Sequence, residues 1–110
     1  MLKEFIGLVE RTEVQQRAML RLSLGSEPHE LPLRQGRAIG WITEALEPLL
    51  PSLGEEGVHR LAIALRSVTG IETRVWLGDV AGLDAAGIRD LQTWMGHALV
   101  AAAAGPAGGA

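Results

Sequence analysis

Residues 61–104 read LAIALRSVTGIETRVWLGDVAGLDAAGIRDLQTWMGHALVAAAA, and the joint Val80-Ala81-Gly82-Leu83-Asp84 within them decides the fold. Gly82 adopts left-handed backbone angles at little steric cost, so it closes a helix. Asp84 is a suitable N-cap, its carboxylate accepting from a free N–H of the next helix's first turn. Leu83 before the cap and Ile88 at the fourth helical position have the spacing of a hydrophobic staple. The joint therefore predicts two antiparallel helices. Each is apolar around more than one face, and one core cannot use all of that surface.

Working back towards the N-terminus, the first of these helices carries Leu61, Leu65, Val68, Val75 and Trp76 on one side, and Ile63, Gly70 and Leu77 on another. It either bends at Gly70 or runs unbroken to about Val80, and the unbroken form is the expectation. Ser52 and Glu55 have capping-box spacing for its start. Pro48 and Pro51 end the helix before it, which opens with Pro32 and carries Arg34, Ala38, Trp41, Ile42, Ala45 and Leu49. Ser26 to Leu31 reads as a polar loop after Gly25. Leu2, Phe5, Ile6 and Val9 form a helical face near the N-terminus. Thr12 and Gln15 either recap that helix or let it pass through.

In the last helix Ile88, Leu91, Met95, Leu99 and Ala102 form one stripe. Gly87, Trp94, Ala98 and Ala101 form a second, roughly 80° round the axis at ~100° per residue. The second stripe has no need to be apolar in a monomer. Small residues there let a partner helix approach, with Trp94 as a large anchor. The expected dimer interface is Ile63, Gly70, Leu77, Gly87, Trp94, Ala98 and Ala101. Gly105 to Ala110 is expected to be a disordered tail. The fold expected is all-α, a bundle of four to five helices in one domain over residues 1–104.

Composition narrows the function. The chain has 110 residues, enough for one small core. Its hydrophobic share is 47% against 4% aromatics, with Leu and Ala dominant, which favours helix over sheet. Zero Cys residues exclude disulfides and thiolate chemistry. The net charge of −3 argues against a nucleic-acid surface within this chain. No apolar run approaches the ~18 residues of a membrane span. The N-terminus lacks the basic-then-apolar order of a signal peptide. A soluble cytoplasmic protein is the expectation.

Chemistry-bearing residues are scattered. His29, His59 and His97 have no ligand spacing. The serines lie outside any nucleophile elbow, and there is no phosphate-binding loop. No catalytic residue, metal or cofactor is expected. Glu72 and Asp79 are seven apart, hence on one face of an unbroken helix with Leu61, Leu65, Val68 and Val75. Acids in an apolar stripe need partners. Arg34, Arg37 and Arg66 are candidates, giving either structural ion pairs or a polar anchor in a ligand cavity. Trp41, Trp76 and Trp94 lie in three different helices and are expected mainly in the core, though Trp also lines pockets and interfaces.

Taken together, Ala64, Leu65, Gly70, Glu72, Leu77, Asp79, Gly82, Leu83, Trp94 and Ala101 to Ala104 match a pattern. It is the Ala-Leu…Gly-x-Glu…Leu-x-Asp-x-x-Gly-Leu segment, Trp-containing final helix and Ala-rich end of many tetracycline-repressor (TetR) family regulators. The chain resembles their C-terminal half over about residues 5 to 104, including the middle-helix segments from Arg17 to Leu24 and Arg37 to Leu46. The resemblance implies an effector-binding and homodimerisation domain, with the last two helices of each subunit forming a four-helix bundle with the partner. It implies a small apolar or aromatic effector in a largely apolar cavity. Candidate lining residues are Met19, Trp41, Ile42, Leu65 and Trp76, with Glu72 as the polar anchor. The family's helix-turn-helix has no counterpart here, so no direct DNA contact by this chain is expected. A piece of a longer regulator, a product read from an internal Met and a stand-alone protein all satisfy these residues. Outside the family, a helical homodimeric interaction module without ligand is the alternative, and a small enzyme a third reading.

Overall fold

The computed structural model describes residues 2–24 and 32–105, with the side chains of Ser23 and of residues 32–38 outside the description. The expected loop from Ser26 to Leu31, the helix end at Gly25, His29, the side chains of Arg34, Arg37 and Ala38, and the tail beyond Gly105 all fall outside it. The elements are α1 (Leu2–Arg11), α2 (Glu13–Leu24), α3 (Pro32–Ala45), a 3-10 turn (Glu47–Leu49), α4 (Leu50–Thr69), α5 (Ile71–Val75), a π turn (Trp76–Val80) and α6 (Ala85–Ala104). Among the described residues there is no strand, and the fold is the all-α bundle expected.

Local signals place most of the boundaries. Thr12 does not recap α1. Its N–H donates to the Leu8 carbonyl at 3.0 Å and its own carbonyl accepts from Gln16, so the helical ladder passes through. Its hydroxyl also bonds back to the Leu8 carbonyl at 2.7 Å. Pro48 lies in the 3-10 turn that follows α3, consistent with its missing N–H. Within α4 the backbone leaves helical angles at Gly54 (φ 75°, ψ 170°), so the interruption comes two residues after the Ser52 expected as cap. The α6 boundary is as the joint predicts. Gly82 is left-handed at φ 80°. The Asp84 carboxylate accepts from Gly87 N–H at 2.8 Å.

The helix expected to run unbroken through Gly70 is broken there. Gly70 is extended (φ −84°, ψ −174°), and α5 restarts the chain in a new direction. A break of this kind strips carbonyls of their helical donors, which is costly in a buried site. Gln92 of α6 supplies the replacement at Val68, its amide donating to that carbonyl at 3.1 Å and also to the Gly70 carbonyl at 3.3 Å. Arg74 N–H also donates to Gly70 O at 3.2 Å. Gln92 is fully buried. Nothing in the helical periodicity marks it, because its role depends on carbonyls 22 and 24 residues earlier.

The main core gathers Leu2, Ile42, Leu46, Val58, Leu61, Ala62 and Leu65, with Leu49, Leu53, Leu99, Val100 and Ala103 packed against it. Leu99, Val100 and Ala103 at the end of α6 thus share a cluster with Val58 near the start of α4, while Gln92 meets the end of α4. The antiparallel pair is therefore α4 with α6, whereas α5 packs on α2. The inner face of α6 is Ile88, Gln92 and Gly96, rotated from the expected stripe. Leu91, Met95 and Leu99 are only half-buried and Ala102 is exposed. Gly96 is on that face because α1 comes so close: a Cβ there would lie 2.7 Å from Leu2 Cδ1.

Two outcomes follow. Gln92→Leu should cost about 1–2 kcal/mol, since the Val68 carbonyl loses its donor while the bulk is kept. Thermal unfolding checks this, and a melting temperature equal to wild type would show that the clamp contributes nothing. Asp84→Ala should cost about 1 kcal/mol by loss of the cap, read from a urea midpoint at unchanged slope.

Candidate functional site

Helix α1 has three working faces. Leu2, Ile6 and Val9 are buried. Roughly 100° to one side, at ~100° per residue, Lys3 and Gly7 face α6 across a groove of about 1120 Å³. Arg89, Asp90, Thr93, Trp94 and His97 form its far side. To the other side, Glu4, Phe5, Leu8 and Arg11 face Trp41 and Ile42 of α3 across a cleft of about 350 Å³. Phe5, Leu8, Trp41 and Ile42 make its walls apolar, and among the described residues the charged groups come from α1. The volume suits one small ligand, with apolar walls and few polar groups. A third depression, of about 480 Å³, lies among Ile39, Ile63, Arg66, Ser67 and Glu72.

The cleft contains two of the expected ligand residues, Trp41 and Ile42. Its described walls do not include Met19, Leu65, Glu72 or Trp76. Leu65 is fully buried in the main core, and Met19 is half-buried on α2. Glu72 lies in the third depression, paired with Arg66 at 2.7 Å. Glu4, Phe5, Leu8 and Arg11 complete the described lining and are not among the expected site residues. Phe5 was placed on the core face with Leu2 and Ile6. The offset of Leu8 by three from Phe5 is the signal that separates a second stripe.

All three tryptophans lie at the surface, against the expectation of core placement. Trp41 is 50%, Trp76 58% and Trp94 66% exposed. The core is built instead from Leu, Ile, Val and Ala, which pack between closely approaching helices. Of the expected interface residues, Ile63, Trp94, Ala98 and Ala101 are exposed and Gly87 is half-buried. Leu77 and Gly70 are corrected: both are buried within the chain. The break at Gly70 turns Leu77 inward, and the Arg66 guanidinium lies over Gly70, in the space that a Cβ would need.

A ladder of alternating charge ties α2 to the segment after the break. Arg74, 5% exposed, donates from Nε to Glu13 at 2.7 Å. The other Glu13 oxygen accepts from Arg17 Nε at 2.7 Å. Arg17 then makes a two-pronged pair with Asp79, both bonds 2.9 Å. Hydrogen bonding from Arg74, and secondarily from Arg17, holds the Glu13 carboxyl below its ordinary range. Arg17 does the same for Asp79, and both acids raise Arg17. The two acids singled out by sequence are thus ion-paired, Glu72 with the expected Arg66 and Asp79 with Arg17, which was not among the candidates. The pairing to Arg17 joins residues 62 apart in sequence. Among the described residues no group of three His, Asp or Glu side chains is placed to hold a metal. No helix there is long and apolar enough to cross a membrane.

Comparison with known protein families, with curated proteins and with solved structures finds no match to this chain.

The ladder makes an acid-sensitive prediction. Glu13 and Asp79 have depressed folded-state pKa values, so their contribution is present above the ordinary carboxylate range. It is lost as pH falls through the depressed values. Glu13→Gln leaves the buried Arg74 guanidinium without its carboxylate, so the loss at pH 7 should exceed the about 0–1 kcal/mol of a surface pair. The gap between wild type and variant should then narrow as pH is lowered from about 6 to about 2. A gap of constant size across that range, measured by chemical denaturation, would remove the ladder from the stability of the fold.

Proposed function

We propose that this chain is the ligand-sensing and homodimerisation domain of a TetR-like transcriptional regulator, making no direct contact with DNA and carrying no catalytic site. The observation that carries the reading is the outward face of α6. Trp94, Ala98 and Ala101 lie nearly opposite the buried Ile88, Gln92 and Gly96, and all three are exposed. Ile63 of α4 and Trp76 of the π turn add further exposed apolar surface. Small residues flanking a large ring suit close helix–helix approach across a two-fold axis. Exposed apolar surface of this kind commonly marks an association site in soluble proteins. A standard interface removes about 1,600 Å² from water in total.

The sensing half of the reading rests on the α1–α3 cleft. Its effector is a small apolar or aromatic molecule held against Phe5, Leu8, Trp41 and Ile42. The residue resemblance over about positions 5 to 104 supplies the family, and the net charge of −3 favours sensing over direct DNA contact. The second reading is a helical homodimeric interaction module with no small-molecule ligand. It is favoured by the dispersal of Met19, Leu65, Glu72 and Trp76 away from the cleft. The two readings share the dimer and differ at the cleft.

The dimer is tested with Ala98→Glu combined with Ala101→Glu. Both changes are compatible with helix and place like charges at the contact. In sedimentation, wild type should run as a dimer at micromolar concentration and the double variant as a monomer with unchanged helix content. A well-folded wild-type monomer would overturn the proposal.

A further inference from the structure

We propose that the α1–α3 cleft selects an amphipathic anion, a short apolar chain or ring bearing one carboxylate, with Arg11 as the group that reads the charge. The inference rests on the cleft being the effector site. Four of the six described lining residues are apolar, and the charged pair Glu4 and Arg11 stands on one helix. They are seven residues apart, so they share a face and are separated by about 10 Å along the axis. The two are not equivalent. Glu4 already has an interaction partner. Arg17, Arg66, Arg74 and Arg89 each hold a carboxylate; Arg11, like Arg21 and Arg60, has no such partner among the described residues, and of these three it is the one that lines the cleft.

Arg11 also stands at the rim of the cleft. It lies on the ridge of α1 shared by the cleft and the α6 groove, and it lines both. Its guanidinium folds back along the helix over Gly7, where an added Cβ would come within 3.2 Å of Nη1. Gly7 thus leaves space on the groove side of that ridge, in which the planar guanidinium rests one turn back along α1, at the rim of the cleft. A guanidinium offers forked donors matched to the two oxygens of a carboxylate. Glu4 at the far end repels an anion, so the carboxylate goes to Arg11 and the apolar body lies over Phe5, Leu8 and Trp41.

The test uses the full chain with octanoate and its uncharged counterpart octanamide, followed by calorimetry and by the indole N–H resonance of Trp41, assigned with Trp41→Phe. Octanoate should bind roughly five- to tenfold more tightly than octanamide, the margin of a charge-assisted over a neutral hydrogen bond. The margin should shrink with added salt. Arg11→Gln, at an exposed position with no ion pair among the described residues, should bind the two probes equally. Both probes should shift the Trp41 resonance. If both shift it but bind wild type equally, or if the preference survives in Arg11→Gln, the anion selectivity is overturned while the cleft stands as an apolar site. If neither probe moves the Trp41 resonance, the cleft reading itself fails, and this inference with it.

Discussion

The fold turns on one side-chain amide. Gln92 bonds the Val68 carbonyl, replacing the donor that a continuous helix would have provided, and adds a second donor to the Gly70 carbonyl. Without that replacement, breaking the chain at Gly70 would leave the Val68 carbonyl unpaired, and such groups are expensive in a low-dielectric interior. With it, α4 before the break can pack on α6 while α5 after it turns towards α2. The clamp also sets the rotation of α6. Placing Gln92 at the α4 end forces Ile88 and Gly96 onto the same inner face, and Gly96 then admits Leu2.

That rotation determines what is left outside. The outer face of α6 carries a large ring among alanines, and α4 and the π turn add Ile63 and Trp76. In a chain whose core is aliphatic, placing all three indoles at least half in solvent is a distribution better matched to recognition than to packing. Trp41 borders a cleft, Trp94 borders a groove and lies beside small residues, and Trp76 follows the break. Each is available to a partner or ligand at little cost to the core.

Charge follows a similar division. The ion ladder from Arg74 through Glu13 and Arg17 to Asp79 ties the segment after the break to α2, and Arg89 reaches Glu10 of α1 at 2.6 Å. Arg11 is excluded from these pairs and stands instead beside the cleft. Helix α1 thus serves the core, a groove and a cleft with three stripes of one ten-residue segment.

The all-α class, the turn at Gly82, the cap at Asp84 and the end of α3 before Pro48 were legible in the sequence. Each depends on residues within a turn or two of one another, where backbone angles and a single local hydrogen bond decide the outcome. The surplus of apolar surface on α6 was legible too, because periodicity counts faces. Which face turns inward was not, since it is set by Gln92 reaching carbonyls on another helix. The split of α1 into core and cleft stripes, the pairing of Asp79 with Arg17 and the burial of Leu77 were hidden for the same reason. A sequence states what each residue offers within its own helix. Only the tertiary structure decides which distant partner accepts the offer, because that depends on where the chain breaks and how the helices rotate against each other.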